Sequence, residues 1–432
     1  MTHVHDLVGV GIGPFNLSVA ALAEQVPDLS VAFLDENPRF CWHPGLLIEG
    51  TTLQVPFLAD LVTLVDPTNP WSFLSYLKEH ERLFPFYFAE NFHISRREYS
   101  HYCAWVAESL SSCSFGRRVV SVDWDPAEEV FRVESEDVHT ATRQTLAARN
   151  VVLGVGTTPV LPEPLRGLPG KEVFHSASYL DHADSLREAE DITVIGSGQS
   201  GAEVLLDLLR SQEREGRRLR WLTRSRAFAP MEYSKLGLEH FTPDYTEYFR
   251  TLPQETRDRV LAEQWQLYKA SSAGTLAEIH DHLYQRSLGG RDPGAMLMPN
   301  VAVTEARRTT AGIELSCHHV EQDRTFDVTT DRVVAATGYS AERPSCLDPL
   351  VDLVEWDARG RYQVGEDYRI ALGDGVPGGL YAQNAEMHSH GVGAPDLGLG
   401  AHRAARILNS VTGRDSFPLP ERSAFTTFGV AS

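Results

Sequence analysis

The chain has no C-x-x-C pair, no run of eighteen apolar residues and no surplus of basic side chains. Each absence removes a class of function. The five cysteines, Cys41, Cys103, Cys113, Cys317 and Cys346, are odd in number and widely spaced. Neither a zinc knuckle nor a dithiol redox pair is readable from them, and a reduced, cytoplasmic chain is expected. Without a long apolar stretch no membrane span is expected. The N-terminus lacks a basic leader and a small-residue cleavage site, with Asp6 and a glycine-rich turn standing there instead, so no signal peptide is read. Lys plus Arg number 39 against 59 Asp plus Glu, a net charge of −20. Such a surface repels nucleic acid and anionic membrane, and it attracts cations.

What is present is the composition of a globular protein. Of 432 residues, 42% are hydrophobic and 23% charged, enough chain for roughly two to three domains. Two segments share one pattern. An apolar run over residues 5–10 leads into Gly11-x-Gly13-Pro14-x-Asn16, then an apolar helical stretch through Gln25 and a strand over 30–34 ending at Asp35. Residues 192–195 likewise lead into Gly196-x-Gly198-x-x-Gly201, a helix through Leu209 and a strand over 219–223. Each is a β-α-β unit, and two of them predict an α/β chain with two Rossmann-like dinucleotide-binding domains. Further strands are expected at 150–154 and 332–336. Residues 229–290 are polar, aromatic and mostly helical in pattern, and read as a small substrate-binding insert. The expected boundaries are 1–185 with 331–432 for the first domain and 186–228 with 291–330 for the second.

Glycine is needed at such a turn because the chain bends sharply and a pyrophosphate must reach the free N–H groups of the helix start. Pro14 suits the first helical turn. Asp35, about twenty residues on, is placed to accept from a ribose hydroxyl. The second unit has no acid there: its strand runs into Thr223-Arg224-Ser225-Arg226. Arg224 suits a 2′-phosphate, which favours NADPH at the second turn and leaves FAD for the first.

Disulfide reductases share this layout but need the missing cysteine pair. Over nearly its whole length the chain instead resembles the flavin-dependent N-hydroxylating monooxygenases of siderophore biosynthesis. The resemblance rests on Gly9-x-Gly11-x-Gly13-Pro14-x-Asn16-Leu17, Trp42-His43-Pro44-Gly45, Leu53-Gln54-x-x-Phe57-Leu58-x-Asp60-Leu61 and Pro67-Thr68-Asn69-Pro70-x-Ser72-Phe73. It continues in Gly196-x-Gly198-Gln199-Ser200-Gly201-Ala202-Glu203, Ala336-Thr337-Gly338-Tyr339 and His388-x-His390-Gly391. It implies that NADPH reduces FAD, that O2 forms a C4a-hydroperoxyflavin, and that a neutral primary amine takes the distal oxygen; it also implies a homo-oligomer, a tetramer. By position it implies Trp42, His43, Gln54 and Phe57 as the flavin-side wall, with Gln54 and His43 near the chemistry. Gln199 and Ser200 would meet the phosphates of NADPH, and Thr337, His390, Gly391, Leu397 and Leu399 would close over FAD. His388 and His390 have metal-pair spacing, but no third ligand type clusters nearby, so no metal is expected.

The chain departs from the family where lysine and ornithine hydroxylases carry a carboxylate-binding Lys: it reads Phe57-Leu58-Ala59-Asp60-Leu61. An amino-acid carboxylate buried beside Ala59 would be unpaired, at a cost of several kcal/mol, whereas a diamine has no carboxylate. With Pro395-Asp396-Leu397-Gly398-Leu399-Gly400, this resembles the cadaverine and putrescine hydroxylases. Asp396 and Glu239 are the candidate carboxylates for the distal ammonium. The alternatives are a lysine N6-hydroxylase using Lys235 or Lys269, and a non-catalytic nucleotide-binding redox sensor. A Baeyer–Villiger fingerprint is only loosely echoed between Gly170 and Tyr179. Pocket shape alone would set the diamine's length.

Overall fold

The computed structural model describes residues 3–211 and 217–430. Two mainly parallel sheets carry the two glycine turns. In the first, Leu7–Val10 lies between Val31–Leu34 and Asn150–Leu153, and Gly379–Ala382 pairs outside the latter, all parallel. In the second, Asp191–Ile195 lies between Arg218–Leu222 and Arg332–Ala335, with Ala295–Met298 and Val173–His175 at the edges, again all parallel. In both sheets the turn-bearing strand is central, so its C-terminal end opens onto the crevice where α/β sheets bind ligands.

Local chemistry explains the helices after the turns. Pro14 occupies the first position of helix Pro14–Ala23, where its missing N–H is harmless. Residues Asn16 to Ala23 of that helix are buried, so it is held by packing on all sides rather than by one apolar stripe. Helix Gln199–Arg210 buries Val204, Leu205, Leu208 and Leu209.

The expected boundaries need correction at two strands. Val173–His175 and Arg332–Ala335 fall within the ranges assigned to the first unit, yet both pair in the second sheet. Short, mostly apolar and buried strands carry no sequence mark of their neighbour. Two further sheets accompany the parallel ones: one has antiparallel Arg117–Asp125, Val130–Asp137 and Arg143–Ala148, with Val4–His5 parallel to the last, and the other is antiparallel Val301–Thr309, Gly312–His319 and Arg324–Thr330.

Residues 229–290 are helical, as expected: Pro243–Thr251, Gln254–Glu263, Trp265–Tyr268 and Ala273–Arg286. They serve two masters. Phe249 and Tyr245 cluster with Val392 near the C-terminus, whereas Ile279 of the last helix joins the core of the second sheet with Leu205 and Leu209.

Candidate active site

The first turn opens onto a cavity of about 560 Å³ lined by Gly11, Gly13, Pro14, Asp35, Trp42, His43, Gly156 and Leu397, among others. This size suits a cofactor site. Gly11 has φ +87°, and a Cβ there would stand 2.5 Å from the Gly154 carbonyl oxygen. Only glycine fits. Asp35 accepts from Ile12 N at 2.7 Å and from Asn37 N at 2.8 Å, which fixes the carboxylate at the rim of the turn while it still faces the cavity. Sequence reasoning missed Glu36, Arg39, Arg117 and Arg118 on the same wall, because they lie on separate strands and loops and form no motif.

Trp42 and His43 stand together, their rings 5.0 Å apart, and Trp42 also meets Tyr99 at 5.0 Å. His43 is exposed and lines the cavity. Desolvation by the surrounding protein, then the Arg96 charge, lowers its pKa to about 4, which favours the neutral imidazole. Gln54 is half-buried and does not line this cavity, and its buried Nε2 has no acceptor among the described residues, a donor available to a ligand. Its carbonyl accepts from Tyr233 Oη at 3.4 Å.

Several expected contacts lie elsewhere. Asn16 is fully buried behind the turn: its Nδ2 donates to Gly11 O at 2.8 Å and Val10 O at 3.1 Å, and its Oδ1 accepts from Gln383 Nε2 at 2.6 Å. It holds the loop rather than lining the cavity. Phe57 sits in an aromatic cluster with Phe73, Phe86 and Phe92. His390 is buried, stacked on Tyr368 at 4.4 Å, and pushed well below its ordinary range by burial and by Arg250 and Arg403. Gly391 faces Phe249 and Tyr245 of the helical insert. The 388–391 segment thus seats the insert, with His388 bonded to Tyr362 O at 2.7 Å. Leu399 packs over Gly393, and Thr337 Oγ1 donates to Val160 O at 2.5 Å. Proximity in sequence to a cofactor motif does not reveal which face a side chain takes.

At the second turn Gly196 has φ +115°, and a Cβ there would be 2.1 Å from Ala336 O. Gly198 and Ser200 are partly exposed beside it, and Arg224 is exposed at the end of its strand. Gln199 was expected on the phosphates. Its Oε1 instead accepts from Ser272 N at 2.7 Å and its Nε2 donates to Glu203 Oε1 at 2.7 Å.

The substrate candidates separate cleanly. Glu239 accepts from Phe425 N at 3.1 Å, Thr426 N at 2.8 Å and the Thr426 hydroxyl. These bonds, led by the Thr426 hydroxyl, lower its pKa, and the carboxylate pins the C-terminal tail. Asp396 differs. It caps the short turn Leu397–Leu399 by accepting from Gly398 N at 2.6 Å, no ion pair holds it among the described residues, and burial raises its carboxyl to about 6 against the opposing pull of Gly398 N and the Arg403 charge. A Cβ on Gly398 would meet Asp396 Oδ1 at 2.7 Å and Ala59 Cβ at 4.0 Å, which puts Ala59 and Asp396 on either side of one glycine. Asp396 also raises the pKa of Tyr233, after burial. Tyr233, which no sequence motif marks, therefore joins Gln54, Ala59 and Asp396. Lys235 is exposed, and the Lys269 ammonium lies over the Tyr268 ring at 5.1 Å.

A family model for L-lysine 6-monooxygenase/L-ornithine 5-monooxygenase matches residues 3–341. The rhizobactin siderophore biosynthesis protein RhbE of Rhizobium meliloti is 46% identical over 99% of this chain and 95% of its own. A putrescine N-hydroxylase of Shewanella oneidensis is 42% identical over 98% of this chain and 84% of its own. The FAD-bound structure of DfoA, a cadaverine monooxygenase of the desferrioxamine pathway in Erwinia amylovora, superimposes with a TM-score of 0.96 at 39% identity, covering 100% of both chains. The chain therefore belongs to the L-lysine 6-monooxygenase/L-ornithine 5-monooxygenase family of flavin-dependent N-hydroxylating monooxygenases.

Proposed function

We propose that this enzyme N-hydroxylates one amine of a small aliphatic diamine, putrescine or cadaverine, to give the N-hydroxydiamine used in hydroxamate siderophore synthesis. The observation that carries this is the pairing of Ala59 with a carboxylate that lacks a cation, Asp396. A diamine brings the missing cation; an amino-acid carboxylate would meet Asp396 as a like charge. FAD and NADPH are the coenzymes. Bound together, they supply the reducing equivalents and the activated oxygen.

The chain's own residues do the rest. The Gly11–Gly13 turn and the start of helix Pro14–Ala23 receive the FAD pyrophosphate, Asp35 faces its ribose, and Trp42 and His43 wall the cavity. Gln54 Nε2, unpartnered among the described residues, is the donor left for a ligand. Arg224 at the end of Arg218–Leu222 takes the 2′-phosphate of NADPH. Asp396 holds the distal ammonium, and that pairing favours the charged form of the carboxylate. The other amine lies in a drier part of the site, where desolvation favours the neutral, nucleophilic form.

The enzyme acts as a cytoplasmic homo-oligomer in this reading; no helix among the described residues is long and apolar enough to cross a membrane. Support for self-association comes from helix Leu83–Ala89, which buries none of its residues. Phe84, Tyr87, Phe88 and Phe92 are 76%, 72%, 74% and 53% exposed. At aromatic side-chain areas this patch is about 500 Å², more than half of what one partner buries in a standard interface of about 800 Å². A second copy is the occupant.

The test is product formation. Purified protein with FAD, NADPH and O2 should yield the mono-N-hydroxylated mass from putrescine or cadaverine; NADPH consumption without any hydroxylated diamine would refute the reading.

A further inference from the structure

A line of buried polar side chains joins the second turn to the wall of the first cavity. Gln199, first in its helix, accepts from Ser272 N at 2.7 Å and donates to Thr275 Oγ1 at 3.2 Å. Ser272 caps helix Ala273–Arg286 of the insert. The same Gln199 amide donates to Glu203 Oε1 at 2.7 Å. One helical turn along, the other Glu203 oxygen lies 2.7 Å from Arg96 Nη1, with side chains 4% and 13% exposed. Arg96 starts helix Arg96–Ser109 under the Ser95 cap, and its charge acts on both His43 and Tyr339. The second turn, the insert and helix Arg96–Ser109 thus meet through Gln199, Ser272, Thr275, Glu203 and Arg96.

An ion pair this buried is a poor device for stability alone, because well-packed apolar residues of similar volume hold as well or better. What it does supply is fixed geometry. We propose that Glu203 is a positioning residue for hydride transfer: through Gln199 and Arg96 it sets the second turn, the insert and the His43 wall at one spacing. The inference rests on hydride passing from NADPH at the second turn to FAD at the first, and not on which amine is the substrate. Gln199 and Glu203 lie in the motif Gly196-x-Gly198-Gln199-Ser200-Gly201-Ala202-Glu203, but the partner Arg96 is about a hundred residues away in the chain and has no motif.

Glu203→Gln keeps the shape and removes the charge. In NADPH-free, FAD-loaded protein, amide exchange at Ser272 and its neighbours should accelerate as Gln199 loosens. Flavin reduction at saturating NADPH should slow on the order of ten- to a hundredfold, as misplacement by about an ångström does, while the KM for NADPH changes less. The paired variant Arg96→Met with Glu203→Met leaves no lone buried charge; it should regain thermal stability without regaining the reduction rate. Recovery of both by the paired variant would make the ion pair merely structural and overturn the proposal. So would wild-type exchange at Ser272 with a wild-type reduction rate in Glu203→Gln, or an effect confined to KM. If Glu203→Gln does not fold, the paired variant decides.

Discussion

The two glycine-rich turns share one strand–turn–helix plan and differ in everything around it. At the first, the acid at the end of the next strand is locked by Ile12 N, the Asn16 amide closes the loop from behind, and a cavity of about 560 Å³ lies in front. At the second, an exposed arginine replaces the acid, and the first helical side chain, Gln199, is turned toward the insert. We propose that the first turn keeps its coenzyme and the second exchanges one. A shared motif fixes where pyrophosphate sits; the neighbours of the motif decide how it is held.

The sharpest way to break this contrast is to add one methyl to each turn. Gly11→Ala, at φ +87° and 2.5 Å from a carbonyl oxygen, should give protein purified without flavin colour. Gly196→Ala, at φ +115° and 2.1 Å from Ala336 O, should keep the colour and lose reduction by NADPH. Absorbance spectra and anaerobic mixing with NADPH separate the two outcomes, and equal loss of flavin in both would erase the distinction.

A second contrast lies between two neighbouring carboxylates. Asp60 accepts from Val62 N, Thr63 N, Thr63 Oγ1 and Phe73 N at 2.6–2.9 Å and braces its loop. Asp396 carries fewer bonds, capping Gly398 N at 2.6 Å. Asp396→Asn should raise the KM for a diamine by about one to two decades, the worth of a charge-assisted hydrogen bond, with flavin content unchanged. In the wild type, kcat/KM for the diamine should fall as pH drops through about 6, where Asp396 protonates, and the Asn variant should lack that step. The stability sign is opposite. Because burial raises the folded-state carboxyl from 3.8 to about 6, its contribution is complete below 3.8 and is lost as pH rises through 6. Asp396→Asn should therefore raise Tm at pH 7. A lowered Tm would show that Asp396 is a structural group like Asp60.

The smallest effect belongs to the exposed arginine. Arg224→Ala should raise the KM for NADPH on the order of tenfold, as loss of one exposed phosphate contact does, and leave NADH nearly unchanged. Equal effects on both coenzymes would remove Arg224 from the 2′-phosphate.

The two β-α-β units were legible because their apolar runs, glycines and helix starts are local in sequence. The cavity residues Gly11, Gly13, Pro14, Asp35, Trp42, His43 and Leu397 were legible for the same reason. Strand partners were not: Arg332–Ala335 is as apolar as its neighbours in either sheet, and only tertiary packing assigns it. Nor was side-chain direction. Asn16, Phe57, His390 and Gly391 sit within strong motifs yet point into packing, and Glu239 was misjudged because its partners, Phe425 and Thr426, lie at the far end of the chain. Tyr233 and Arg96 reach the site from elements with no coenzyme signature.

The central claim is that a bare Asp396 beside a small Ala59 selects a diamine. Its most direct test is the ratio of kcat/KM for cadaverine to that for lysine, in the wild type and in Ala59→Lys. A lysine at 59 would stand across Gly398 from Asp396 and pair with it, occupying the ammonium site and offering a partner to a carboxylate. The wild-type ratio should exceed ten, the lower worth of one charge-assisted bond at about 1.5 kcal/mol, and it should fall at least as far in Ala59→Lys. A wild-type enzyme that prefers lysine, or a ratio indifferent to residue 59, would contradict the account.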